Sequence, residues 1–114
     1  MVSRAHFERL VARALDDLPD WVREHMENVE VIIASRPPPE EPNLLGRYEG
    51  IPLNRRGYGY FGALPDRIVL FRSTIKAVSR NEEELRRNVR HTVAHEIAHH
   101  FGISDERLRE IDAY

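Results

Sequence analysis

The chain has 114 residues, 41% of them hydrophobic and 32% charged, with a formal net charge of −2 and no cysteine. That length predicts one domain, 1–114, with a single core and no second lobe, so an active site must lie on that core's surface. The missing thiols exclude disulfides, cysteine nucleophiles and Cys-type zinc sites, which leaves six histidines and 19 acids as the available metal donors.

From Ser3 to Leu18 the apolar positions Phe7, Leu10, Val11, Ala14, Leu15 and Leu18 recur every three or four residues, the spacing of one helix face, with Ser3 as cap and Pro19 as stop. Trp21, Val22, Met26 and Val29 predict a second short helical piece opened by Asp20. The β-branched run Val29–Ala34 predicts a strand, whereas 36–42, with four prolines, predicts an exposed loop. A second strand is expected over Leu44–Tyr48 and Ile51–Leu53, interrupted near Gly50, and a third over Arg67–Arg72. These segments predict an α+β fold with a small mixed sheet of three or four strands packed on helices.

The last third is dominated by a helix expected from Glu82 to Phe101, with Asn81 as N-cap, Glu84 three residues on, and Gly102 at the stop. At about 100° per residue, Leu85, Val89, Val93, Ile97 and Phe101 share one broad side while His95 and His99 share another. The helix therefore has a core face and a chemical face.

On that chemical face His95-Glu96-Ile97-Ala98-His99 reads H-E-x-x-H. Two histidines four apart on a helix can aim ring nitrogens at one ion about 2.0–2.1 Å away. Glu96, rotated by about 100° from His95, is placed to take a proton from water rather than to bind the ion. A catalytic zinc normally takes three protein ligands, and Asp105 is the candidate for the third, since Gly102 allows the chain to reverse after the helix. Ser104-Asp105-Glu106 also reads as the start of a last short helix that Ser104 or Asp105 caps, and Glu106 and Glu110 are lesser ligand candidates.

With His95-Glu96-Ile97-Ala98-His99-His100-Phe101-Gly102-Ile103-Ser104-Asp105, and with Leu64–Ile68 and Leu45–Leu53 upstream, the chain resembles the minimal zincins, a family of small zincin-like metallopeptidases. The resemblance runs from about Val29 to the end. It implies a zincin-like sheet over the metal-bearing helix, zinc at His95 and His99, and Asp105 as third ligand. Asp105 stands where metzincins carry His, and the two methionines, Met1 and Met26, offer no counterpart to the metzincin Met-turn.

The remaining histidines are expected elsewhere: His91 at the cleft edge or in solvent, His100 partly buried and hydrogen-bonded, His6 and His25 on the surface. Gly57-Tyr58-Gly59-Tyr60-Phe61-Gly62 fits G-x-G-x-x-G, but Pro65 and a strand follow it, so a dinucleotide site is excluded and its aromatics are candidates for the cleft border. The expected function is a zinc-dependent metallopeptidase working on a peptide or protein substrate laid along a sheet edge near Ile68–Phe71, with Zn2+ as cofactor. The alternative is a non-catalytic metal-binding module for interaction or regulation. Nucleic acid is not an expected partner, because Glu82, Glu83 and Glu84 lie near Arg86, Arg87 and Arg90. No membrane association is expected either. The charges spread through Met1–Leu18 argue against a signal peptide, and a cytoplasmic location is expected.

Overall fold

A computed structural model describes residues 3–26, 28–51 and 66–110. Ser3 is extended and its hydroxyl accepts from the His6 amide at 3.1 Å, so helix α1 starts at Arg4 and runs to Asp16, with Phe7, Leu10, Val11 and Ala14 buried on one stripe. Helix α2 spans only Asp20–Glu24; Met26 lies beyond it, and Val29 opens strand β1, Val29–Ala34. The spacing of Trp21, Val22, Met26 and Val29 thus covers a short helix, a turn and a strand.

Strand β2 spans Gly46–Glu49 and strand β3 spans Asp66–Phe71. The sheet order is β1-β3-β2: β1 runs parallel to β3 with Val29 opposite Asp66 and Ala34 opposite Phe71, and β2 runs antiparallel with Gly46 opposite Leu70 and Glu49 opposite Arg67. β3 is therefore the central strand, hydrogen-bonded on both sides. The expectation that a peptide pairs near Ile68–Phe71 is corrected here, because that strand has no open edge. Its near-continuous apolar run is the mark of an interior strand.

Arg72, expected to close β3, instead opens helix α3, Arg72–Ala77, which buries Ile75. Helix α4 follows over Glu82–His100, capped by Asn81 Oδ1, which accepts from the Glu84 amide at 2.9 Å. Helix α5, Asp105–Glu110, completes the described chain. Pro52 and Leu53, expected in the second strand, and the glycine-rich stretch 57–62 lie outside the described residues.

Residues opposite one another across β2 and β3 share a sheet face, so Gly46, Tyr48, Asp66, Ile68 and Leu70 all point to the side where α4 packs. The core forms there: Ile68 and Leu70 meet Phe7, Leu10 and Val11 of α1 and Leu85, Val89, Val93 and Ile97 of α4. The result is the α+β architecture expected, a three-stranded mixed sheet on helices. Among the described residues no helix is long and apolar enough to cross a membrane.

Candidate metal centre

Helix α4 puts its sheet-facing residues and its histidines on adjoining faces. Val89, Val93 and Ile97 anchor it in the core, and Glu96 lies on the same side at 5% exposure. His95 and His99 project from the neighbouring face, half-buried, with ring centroids 4.7 Å apart.

The helix end brings in Asp105. Gly102 has φ +86°, its amide donates to the His99 carbonyl at 2.9 Å, and the Ile103 amide donates to the Ala98 carbonyl at 2.9 Å. This pair of bonds reverses the chain tightly, and the left-handed conformation suits glycine. Ser104 Oγ then accepts from the Arg107 amide at 3.1 Å and so caps α5. The two readings of Ser104-Asp105 are thereby reconciled, since Ser104 does the capping and leaves the Asp105 carboxylate to face α4. Its Oδ1 lies 2.7 Å from His99 Nε2 and 3.1 Å from His95 Nε2.

Donor chemistry decides whether these three residues fit an ion. Tetrahedral zinc with bonds of about 2.0–2.2 Å holds its ligand atoms roughly 3.3 Å apart, close to the separations here. A shared N–H···O contact and a shared cation draw the same atoms together, so a proton and a metal compete for this position. One oxygen flanked by two Nε2 atoms fits a three-ligand site.

Glu96 is also near: ligand atoms of His95, Glu96 and His99 all lie within 4.8 Å of one another. Proximity would let it join the same ion, and two further contacts engage its carboxylate. Its Oε1 meets His99 through Nδ1, at 3.3 Å, the ring nitrogen on the other side from the Nε2 that faces Asp105. Its carboxylate also accepts the backbone N–H of Tyr48. The orienting contact on Nδ1 is what an imidazole needs to present Nε2 to a metal.

The electrostatics separate the two carboxylates. Burial pushes the Glu96 carboxyl above the ordinary range, against the pull of His99 and the Tyr48 amide. At Asp105, partial burial works upward, but the His99 hydrogen bond and the charges of His99 and His95 outweigh it and hold the carboxyl low. Burial, then the neighbouring His99, holds His95 below the usual imidazole value, which favours the neutral form a metal binds. The arrangement thus sets an ionised carboxylate, that of Asp105, beside the imidazoles, and a buried one, that of Glu96, with a raised affinity for a proton.

A cavity of about 290 Å³ opens beside these residues, walled by Leu44, Leu45 and Gly46 on one side and His91, His95 and Glu96 on the other. His91 lines it one helical turn before His95, with ring centroids 6.2 Å apart, and is exposed at the cleft edge as expected. His100 is more deeply buried than expected, at 1% exposure. Its Nδ1 lies 2.9 Å from Asp66 Oδ2 and its Nε2 donates to the His25 carbonyl at 3.1 Å. His25 is exposed and His6 half-exposed.

Sequence reasoning passes over the cavity's second wall, and the signal for it was the glycine at 46. A Cβ there would lie 2.9 Å from Thr92 Cγ2 and 3.3 Å from Glu96 Cγ, so only glycine lets β2 come this close to the chemical face of α4.

Comparison with known proteins agrees with this fold. A conserved hypothetical protein from Thermus thermophilus has the same fold, with a TM-score of 0.64 at 24% identity over 88% of this chain and 94% of its own. No curated protein matches the chain. The family model described as zincin-like metallopeptidase matches residues 26–114, most of the chain and all of the site. With the match extending from before β1 through α5, the chain belongs to the zincin-like metallopeptidase family.

Proposed function

We propose that this protein is a zinc-dependent metallopeptidase, with His95, His99 and Asp105 as ligands and Glu96 as general base. The observation that carries the reading is the meeting of two imidazole Nε2 atoms and one Asp105 oxygen beside a buried, separately held carboxylate. Zinc, when bound, supplies Lewis acidity, polarising a carbonyl and bringing the pKa of water to about 7.

The chain's own residues supply the rest. Glu96 takes a proton from water as the new C–O bond forms at the scissile carbonyl, then gives it to the amine nitrogen as the C–N bond breaks. Burial favours this return, because a carboxyl with a raised pKa holds the proton long enough to pass it on.

The substrate is a peptide lying along β2, the outer strand beside the cavity. The Phe71 amide donates to the Leu45 carbonyl at 2.9 Å, so Leu45 faces β3 and the alternation of antiparallel pairing turns the Gly46 and Tyr48 backbone groups outward. Those of Gly46 border the cavity and suit strand addition by an extended peptide. A non-catalytic metal module is the less supported reading, since a closed structural site has no use for a buried carboxylate held beside its ligands.

Zinc content and hydrolysis of a mixed peptide library, measured on the wild type and on Glu96→Gln, test the proposal. Glu96→Gln is expected to keep its zinc and lose roughly 10²–10⁴-fold in turnover. Equal turnover by the two proteins contradicts Glu96 as the base.

A further inference from the structure

Glu96 sits close enough to the imidazoles to bind the same ion, which would then carry four protein ligands beside its water and lose the four-coordinate geometry of a catalytic site. Something must hold it aside. Strand β2 does so: Gly46 packs against Glu96 Cγ, the Tyr48 amide attracts the carboxylate, and Tyr48 is itself fixed, its hydroxyl donating to Asp66 Oδ2 at 2.6 Å. That same oxygen lies 2.9 Å from His100 Nδ1, and His100 stands one turn after Glu96 on α4. The contacts close on themselves, from Glu96 to Tyr48 on β2, to Asp66 on β3, to His100, and back along the helix.

The ring is built into the core. Asp66 and His100 are 2% and 1% exposed. At Gly50 a Cβ would lie 2.5 Å from the Asp66 carboxyl, so the chain leaves room there for the acid alone. A buried polar group set between two strands and a helix is costly unless fully paired, and among the described residues every buried side-chain polar atom has a partner. The proposed mechanism has no direct use for Asp66 or His100, neither of which lines the cavity.

We propose that Tyr48, Asp66 and His100 are positioning residues that fix the height of β2 over α4 and so keep Glu96 as base instead of ligand. The proposal rests on the reading of His95, His99 and Asp105 as the metal ligands. A simple structural tie would lower stability when broken but leave the metal's surroundings unchanged, and the two cases are separable by spectroscopy.

The test uses the full chain loaded with Co2+, whose visible absorption is strong in four-coordinate tetrahedral sites and weakens when a further ligand joins. Tyr48→Phe removes one hydroxyl and frees β2 to shift. The expected result is a weakened visible band as Glu96 joins the ion, with kcat about tenfold lower and KM little changed, a fraction of what a placed base contributes. Adding Glu96→Ala to Tyr48→Phe is expected to restore the strong band, since no carboxylate is left to move. If Tyr48→Phe does not fold, Asp66→Asn, of equal volume, is expected to give the same weakened band and the same recovery. An unchanged spectrum in the folded variant, with the wild type binding Co2+, overturns the ring's role and leaves the metal reading intact. A wild-type chain that binds no Co2+ overturns the metal reading, and the ring's role with it.

Discussion

At the scale of single residues, the proposed function separates proton and metal chemistry by where each group is buried. His95 faces His91, His99 and Asp105, and its burial together with the charge of His99 weakens its hold on a proton. Asp105 is held low by the imidazoles despite its partial burial. The sign follows from competition: a proton and the ion seek the same lone pairs, so groups with lowered pKa values yield to the ion further into acid. Zinc retention, followed by titrating the loaded protein downward in pH, is therefore expected to persist below about pH 6.5, where an ordinary imidazole titrates. Release with a midpoint at or above neutrality contradicts this electrostatic account.

The chemical residues were legible in the sequence because their spacing is local. His95, Glu96 and His99 lie within one turn and a quarter of helix, and Gly102 and Ser104 mark the reversal that brings Asp105 back. The partners of Glu96 and His100 were not legible. Tyr48 and Asp66 stand 52 and 34 residues before His100, and only the pairing of β2 with β3 and their docking on α4 unite them.

At the scale of elements, α1 and α4 follow directly from apolar spacing and caps, whereas the sheet's order does not. The β-branched and apolar content of Val29–Ala34 and Ile68–Phe71 identifies strands, but which of them lies in the middle depends on long connections. Helix α3 escaped notice because no glycine or proline separates it from β3: the chain passes from Phe71 straight into Arg72-Ser73-Thr74. The Thr74 hydroxyl instead marks the junction, donating to the Leu44 carbonyl at 2.7 Å and tying α3 to the cavity wall.

The element contact that matters most to the site is β2 on α4. Gly46→Ala would place a methyl 2.9 Å from Thr92 Cγ2 and 3.1 Å from the Val69 carbonyl, and backbone and a buried β-branched side chain both yield poorly. The expected cost is about 1–3 kcal/mol of unfolding free energy in urea, with an unchanged m-value. The same substitution is expected to reduce peptide turnover, because it lifts β2 from Glu96. A neutral Gly46→Ala variant would show that the close approach is not needed.

At the scale of the whole molecule, the proposed metal position sits on a helix anchored by a core that holds twelve of the described residues. The fold is thus expected to exist without zinc, unlike small domains whose core is the metal itself. Binding still adds stability through mass action, about 4 kcal/mol at a thousandfold excess over Kd, or on the order of 15 °C in Tm for a chain this size. Far-UV circular dichroism and thermal melts with and without a chelator are expected to show the same folded spectrum and a lower Tm after chelation. A chelated chain with an unfolded spectrum contradicts this division between core and site.

The central claim is that one cation binds where His95, His99 and Asp105 converge. A crystal of the zinc-loaded protein, with data collected on both sides of the zinc absorption edge, tests it most directly. The expected result is a single strong anomalous peak about 2.0–2.2 Å from His95 Nε2, His99 Nε2 and an Asp105 oxygen, with Glu96 outside bonding distance. A peak bonded to Glu96 in place of Asp105, or no peak at these residues, contradicts the account.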